Sequence, residues 1–255
     1  MMEMQHVLLM QSISGTIYLL TITVVGIRLL RLAHRNKALP ELLLGLSLLI
    51  GGTFGATLEA GGLAIATTAE PQLVGTLLLV GKLCGLVALV CQGVFIWKVF
   101  RPDAFWAPVI VGICFTSSAA AVVGFWLHGT FATAQVPMFW FWLELAGRTG
   151  GSVWLVFEAV RYYRLMRKRM HLGLADPVVS NRFLLWAIAG VCGISMMLTA
   201  VPPVLYPTTT HWLMAWDLAL FSACGIGFCI AYSLVFFPTQ LYTRWITGDL
   251  EARTA

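Results

Sequence analysis

Polar positions are sparse along this chain and gathered at intervals, and seven mostly apolar stretches run between them. A helix needs about 20 such residues to cross the hydrocarbon core of a bilayer. The stretches cover residues 7–30, 41–67, 72–99, 104–128, 137–165, 183–206 and 211–237, and each predicts a membrane-spanning helix. Pro40, Pro102, Pro137 and Pro238 fall at their edges, where proline serves as a first-turn residue or a stop. The expected fold is all-α, a polytopic membrane protein with one seven-transmembrane-helix bundle over residues 1–243 and a short tail over 244–255. No basic n-region and no Ala-x-Ala site precede the first apolar run, so the first helix is expected to be retained.

The basic residues orient this bundle. Arg28, Arg31, Arg35 and Lys37 follow the first stretch, and Lys98 and Arg101 follow the third. Arg161, Arg164, Arg167, Lys168, Arg169 and Arg182 separate the fifth from the sixth, and Arg244 and Arg253 lie in the tail. These are fourteen of the sixteen Lys and Arg residues, and the other two, Lys82 and Arg148, lie inside helices. The opposite loops, TTAEPQ, GTFATAQVP and PTTT, carry none. Because basic loops stay on the cytoplasmic side, the N-terminus is expected outside and the C-terminus in the cytoplasm. Only an odd number of crossings permits this. The aromatic residues agree. Phe139, Trp140, Phe141 and Trp142 cluster at the outer start of the fifth helix, with Trp126 and Trp212 at similar depth. Trp97, Trp106, Trp186 and Trp245 fall near the inner ends, as expected for interfacial belts.

Composition excludes the water-soluble class. The chain is 59% hydrophobic and 11% charged, against about 25% charged in soluble domains. A multi-pass protein of a plasma or inner membrane is the expectation. The net charge of +5 resides in the inner loops, so nucleic acid is not an expected partner. Cys84, Cys91, Cys114, Cys192, Cys224 and Cys229 all sit in apolar runs without metal-ligand spacing, and read as small buried hydrophobes. Gly51-xxx-Gly55, Gly81-xxx-Gly85 and Gly147-xxx-Gly151 are small-xxx-small pairs that let helices approach closely inside one bundle.

Ionisable residues inside a bilayer are costly and mark candidate sites. Five stand out as ligand- or ion-binding candidates: Glu59, Lys82, Glu144, Arg148 and Asp217, on the second, third, fifth and seventh helices. At about 1.5 Å per residue they share a layer roughly 9 to 17 Å below the outer surface. Three carboxylates and two cations leave one carboxylate without a cationic partner, to be balanced by a proton, a cation or a cationic ligand. The competing reading is structural: Glu59–Lys82 and Glu144–Arg148 simply pair, and Asp217 faces water. Glu158 is expected to pair locally with Arg161 or Arg164. The basic segment Arg161, Arg164, Arg167, Lys168 and Arg169 is expected to meet anionic headgroups or a protein partner on the cytoplasmic side. Asn181 is a candidate cap for the sixth helix.

No metal site is expected. His6, His128 and His211 map to the outer edge without ligand spacing, and no zinc-hydrolase, nucleophile-elbow or phosphate-loop motif occurs. Thr116, Ser117 and Ser118 are expected to bond their own backbone. The topology resembles that of rhodopsins and G-protein-coupled receptors, and the likeness ends there. The last helix has no Schiff-base lysine, and the Asp/Glu-Arg-Tyr and Asn-Pro-x-x-Tyr motifs are missing, so neither retinal nor another cofactor is expected. Three roles fit: a receptor-like bundle binding a small or lipophilic ligand, a proton-coupled or small-solute transporter, and a structural subunit of a larger membrane complex. The receptor-like role is favoured because the charged layer lies in the outer half. A carrier needs a polar path to the cytoplasm, where only Gln92 and Glu158 offer one. An enzyme ranks last, for want of a catalytic motif.

Overall fold

The computed structural model describes residues 2–133, 137–205 and 211–254, and every regular element among them is helical. The long helices are α1 (Met2–Asn36), α2 (Leu39–Ala64), α3 (Pro71–Phe100), α4 (Trp106–Leu127), α5 (Met138–His171), α6 (Pro177–Leu198) and α7 (His211–Phe236). A final helix, α8 (Gln240–Thr254), occupies most of the expected tail, and short helical turns span Thr130–Thr133 and Val201–Leu205. Six helices are long and apolar enough to cross a membrane: Ser12–Asn36 within α1, then α2, α3, α4, α6 and Trp216–Phe236 within α7. The fifth expected span is not among them. At 34 residues α5 is long enough, but Glu144, Arg148, Glu158 and its basic end interrupt every apolar window. The side chains of His6, His211 and Trp212, and parts of the loops GTFATAQVP and PTTT, lie outside the described residues.

Local chemistry sets the helix ends. Pro40 and Pro71 occupy the first turns of α2 and α3, where their missing N–H costs nothing. Gly173 takes φ +69 after α5, a conformation open to glycine without a Cβ clash. The sixth helix begins earlier than expected, at Pro177. Asp176 is its cap, accepting a hydrogen bond from the Val178 N–H at 2.8 Å, with Pro177 in the first turn. Asn181 is therefore inside the helix and caps nothing; its Nδ2 donates to the Tyr242 hydroxyl of α8. Burial pushes the Tyr242 phenol above its ordinary range, against the opposing pull of Asn181 and Arg182.

The contacts divide the chain into two units. One holds the chain up to Tyr18, Ser152–Pro202 and α7 with α8. Its core is an aromatic ladder between α6 and α7. Trp186 packs edge-on against Tyr232 and Phe236 at 5.4 and 5.8 Å, and Phe228 stacks on Tyr232 at 4.3 Å. Buried Ser14 of α1 donates to Ser222 of α7 at 2.9 Å, satisfying two hydroxyls at once.

The second unit runs from Leu19 to Gly151, with residues 203–205. Here glycine decides the geometry. Residues Ser47–Gly55 of α2 form a π-helix, with wider i→i+5 turns. This stretch presses Gly51 onto Ala88 and Gly55 onto Gly81 of α3, while Gly85 lies toward Arg148 of α5. A Cβ on Gly81 would stand 2.7 Å from Glu59 Cγ and 3.0 Å from the Gly55 carbonyl. A Cβ on Gly147 of α5 would collide with Ser118 and the Cys114 carbonyl of α4. Thr23 of α1 and Thr53 of the π stretch share a hydrogen bond at 2.9 Å.

Gly81→Ala is expected to lower stability by about 1–3 kcal/mol, since the new methyl must force α2 from α3. Gly112→Ala, where a Cβ meets nothing within 4 Å, is expected to leave it unchanged. Thermal unfolding of the two variants in detergent checks the contrast.

Candidate functional site

The second unit gathers four of the five candidate side chains into one network. Glu59 lies at the end of α2, just beyond the π stretch, Lys82 lies mid-way along α3, and Glu144 and Arg148 lie one turn apart on α5. Lys82 Nζ donates to Glu144 Oε1 at 2.7 Å and stands 3.6 Å from Glu59 Oε2. Arg148 Nη1 donates to the same Glu144 oxygen at 3.3 Å and stands 3.8 Å from Glu59 Oε1. The expected pairs Glu59–Lys82 and Glu144–Arg148 both form, and two cross-pairs tie them into a square. Asp217 belongs to the other unit, half-buried on α7.

Burial grades the four groups. The Glu144 side chain is 11% exposed, Lys82 20%, Glu59 23% and Arg148 36%. Glu144 is thus the centre: the most enclosed, and held by both cations through true hydrogen bonds. Glu59 is the periphery: its two contacts exceed hydrogen-bonding distance and are purely electrostatic. Two carboxylates against two cations make the square neutral, which is what lets it exist away from water.

A cleft opens beside the square, lined by Lys82, Glu144, Arg148 and Ser118 with the aliphatic Leu89 and Val122. It measures about 210 Å³ including its open mouth. Ser118 corrects the expectation from sequence. Thr116 does bond its own backbone, to the Gly112 carbonyl at 2.8 Å. Ser118 is 1% exposed, and its hydroxyl has no hydrogen-bond partner among the described residues. Sequence reading missed it, although Cys114, Ser118, Ala121, Val122 and Phe125 recur at helical spacing and form the buried stripe of α4.

Elsewhere, Glu158 is 5% exposed on α5 and stands 3.8 Å from Arg161, as the local pairing anticipated. Arg161, Arg164, Arg167, Lys168 and Arg169 are all exposed on the last turns of the same helix. The six cysteines are free thiols, two of them buried. No group of three or more metal-binding side chains occurs among the described residues. The outward helix faces are apolar, with Phe54, Leu63, Phe157 and Trp216 all more than half exposed. Surfaces of this kind suit hydrocarbon rather than water. Fold and surface together are compatible with a multi-pass integral membrane protein. Comparison with known protein families, curated proteins and solved structures finds no match.

Lys82→Met is expected to destabilise the protein by about 3 kcal/mol, because it removes the shorter bond to an enclosed carboxylate. Arg148→Met should cost less, since Arg148 is the most exposed member and its pairs are longer. The double variant Lys82→Met/Glu144→Leu should lose less than the sum of its singles. A double-mutant cycle on unfolding in detergent reads all three; additive losses would refute the coupling.

Proposed function

We propose that the protein is a receptor-like membrane bundle that binds a small ligand at the charged square. In this reading α1 to α7 all cross the bilayer, with the N-terminus outside and the C-terminus in the cytoplasm. α5 counts as the seventh crossing because Glu144 and Arg148 have partners, so their cost is largely offset. The observation that carries the ligand-binding role is the cleft: it brings Lys82, Arg148 and Glu144 to one opening, beside a buried hydroxyl that nothing else uses. Purely structural pairs require no such opening.

This orientation puts Arg161, Arg164, Arg167, Lys168 and Arg169 at the cytoplasmic surface, where anionic headgroups attract each by about 1 kcal/mol. The same exposed helix end offers a surface through which ligand occupancy reaches a membrane or cytoplasmic protein partner. Replacing Arg167, Lys168 and Arg169 by Gln is expected to weaken association of reconstituted protein with anionic over neutral lipid. Equal lipid selectivity before and after the change, measured by lipid exchange in nanodiscs, would remove that role.

The central test is a thermal-shift screen of small molecules on the detergent-purified protein. A true ligand at about 100-fold its Kd is expected to raise Tm by roughly 5 °C or more. The shift should vanish in Lys82→Met and Glu144→Gln. A ligand that stabilises parent and variants alike binds elsewhere and defeats the reading.

A further inference from the structure

The cleft is rich in donors. Lys82, Arg148 and Ser118 all line it, the Ser118 Oγ lying beside Gly147, while its one carboxylate, Glu144, is already engaged by both cations through Oε1. The Ser118 hydroxyl is buried without a partner among the described residues, a cost of about 1–3 kcal/mol that an acceptor within reach would relieve. Glu59 does not line the cleft, and holds the cations only at 3.6 and 3.8 Å. The interior has room for about one water-sized group.

We propose that the cleft is a small-anion site, taking a halide or one oxygen of a formate-sized carboxylate whose remainder stays in the open mouth, and that Glu59 is the carboxylate that yields to it. This rests on reading the square as the ligand centre. The anion accepts from Arg148, Lys82 and Ser118. Charge balance dictates the rest. The square is neutral as it stands, so a bound monovalent anion leaves one uncompensated negative charge in an enclosed site. One proton taken up from solution restores neutrality. It goes to Glu59, which loses two long contacts, rather than to Glu144, which would lose two hydrogen bonds. The charged and titratable groups around Glu59 are Lys82 and Cys84 from α3 and Glu144 and Arg148 from α5; residues 19–27 of α1 carry none. Anion binding is thereby coupled to proton uptake.

The test uses the whole chain in detergent, with sodium chloride or sodium formate replacing sodium gluconate at constant ionic strength. Chloride or formate is expected to raise Tm saturably, with uptake of about one proton per chain in weakly buffered solution. Ser118→Ala, which removes one oxygen atom, should fold normally and need about tenfold more anion. Glu59→Gln should bind anion with no proton uptake. Equal anion dependence of the parent and Ser118→Ala overturns the site, and binding by the parent without proton uptake overturns the coupling. If a neutral molecule stabilises the parent but not Lys82→Met, and chloride and formate do nothing, the ligand centre stands and the anion inference falls. If the anion shift persists in Lys82→Met, both fall.

Discussion

A charge enclosed in a low-dielectric bundle must be partnered, and this requirement organises the second unit. Removing a carboxylate or ammonium from water costs several kcal/mol even after relaxation. Glu144, the most enclosed of the four, meets that cost with two cations on one oxygen. Those cations come from two helices, α3 and α5, and Glu59 brings in α2. Three helices are therefore fixed in register by one electrostatic condition. Slide any of them by a turn and a carboxylate is left alone.

Close helix approach makes that condition reachable. Lys82 and Glu59 meet because α2 and α3 touch through glycine, with the Gly55 carbonyl in contact with Gly81. The π stretch Ser47–Gly55 widens the turns of α2 just before Glu59, which faces Lys82 of α3. On the far side, Gly147 lets α5 settle onto α4 at Ser118. Each small residue thus stands within a turn or so of a member of the site. In this unit, packing and chemistry are the same set of contacts.

The sequence made much of this legible, for identifiable reasons. Hydrophobic runs anticipated α2, α3, α4 and α7 closely, because these are bounded by proline or by loop sequences that cannot continue a helix, whereas α1, α5 and α6 depart further from their runs. Depth along each run put Glu59, Lys82, Glu144 and Arg148 at one expected level, and these four side chains do meet in one ion-pair network. Other features were out of reach. A π stretch needs no special composition, so Ser47–Gly55 looked like ordinary helix. Depth says nothing about which unit a residue joins, and Asp217 belongs to the unit without the square. Asn181 looked like a cap because the sixth apolar run begins at Phe183, whereas Asp176-Pro177 had already started the helix. Ser118 was read from residue type, which says nothing about which face of α4 is covered.

The fifth helix shows why charged helices resist composition arguments. Judged alone, α5 is too polar to enter a bilayer, because Glu144, Arg148 and Glu158 interrupt it. Judged with its partners, Glu144 and Arg148 are half of a neutral square, and Glu158 stands beside Arg161. A hydropathy window counts each charge at its full transfer cost, whereas the folded protein incurs only the difference between desolvation and pairing. The helix that appears least suited to hydrocarbon is therefore the one whose removal would strand the most charge. If α5 crosses a bilayer as proposed, it can do so stably only alongside α2 and α3, which would make the charged square a condition of assembly as well as the proposed ligand centre.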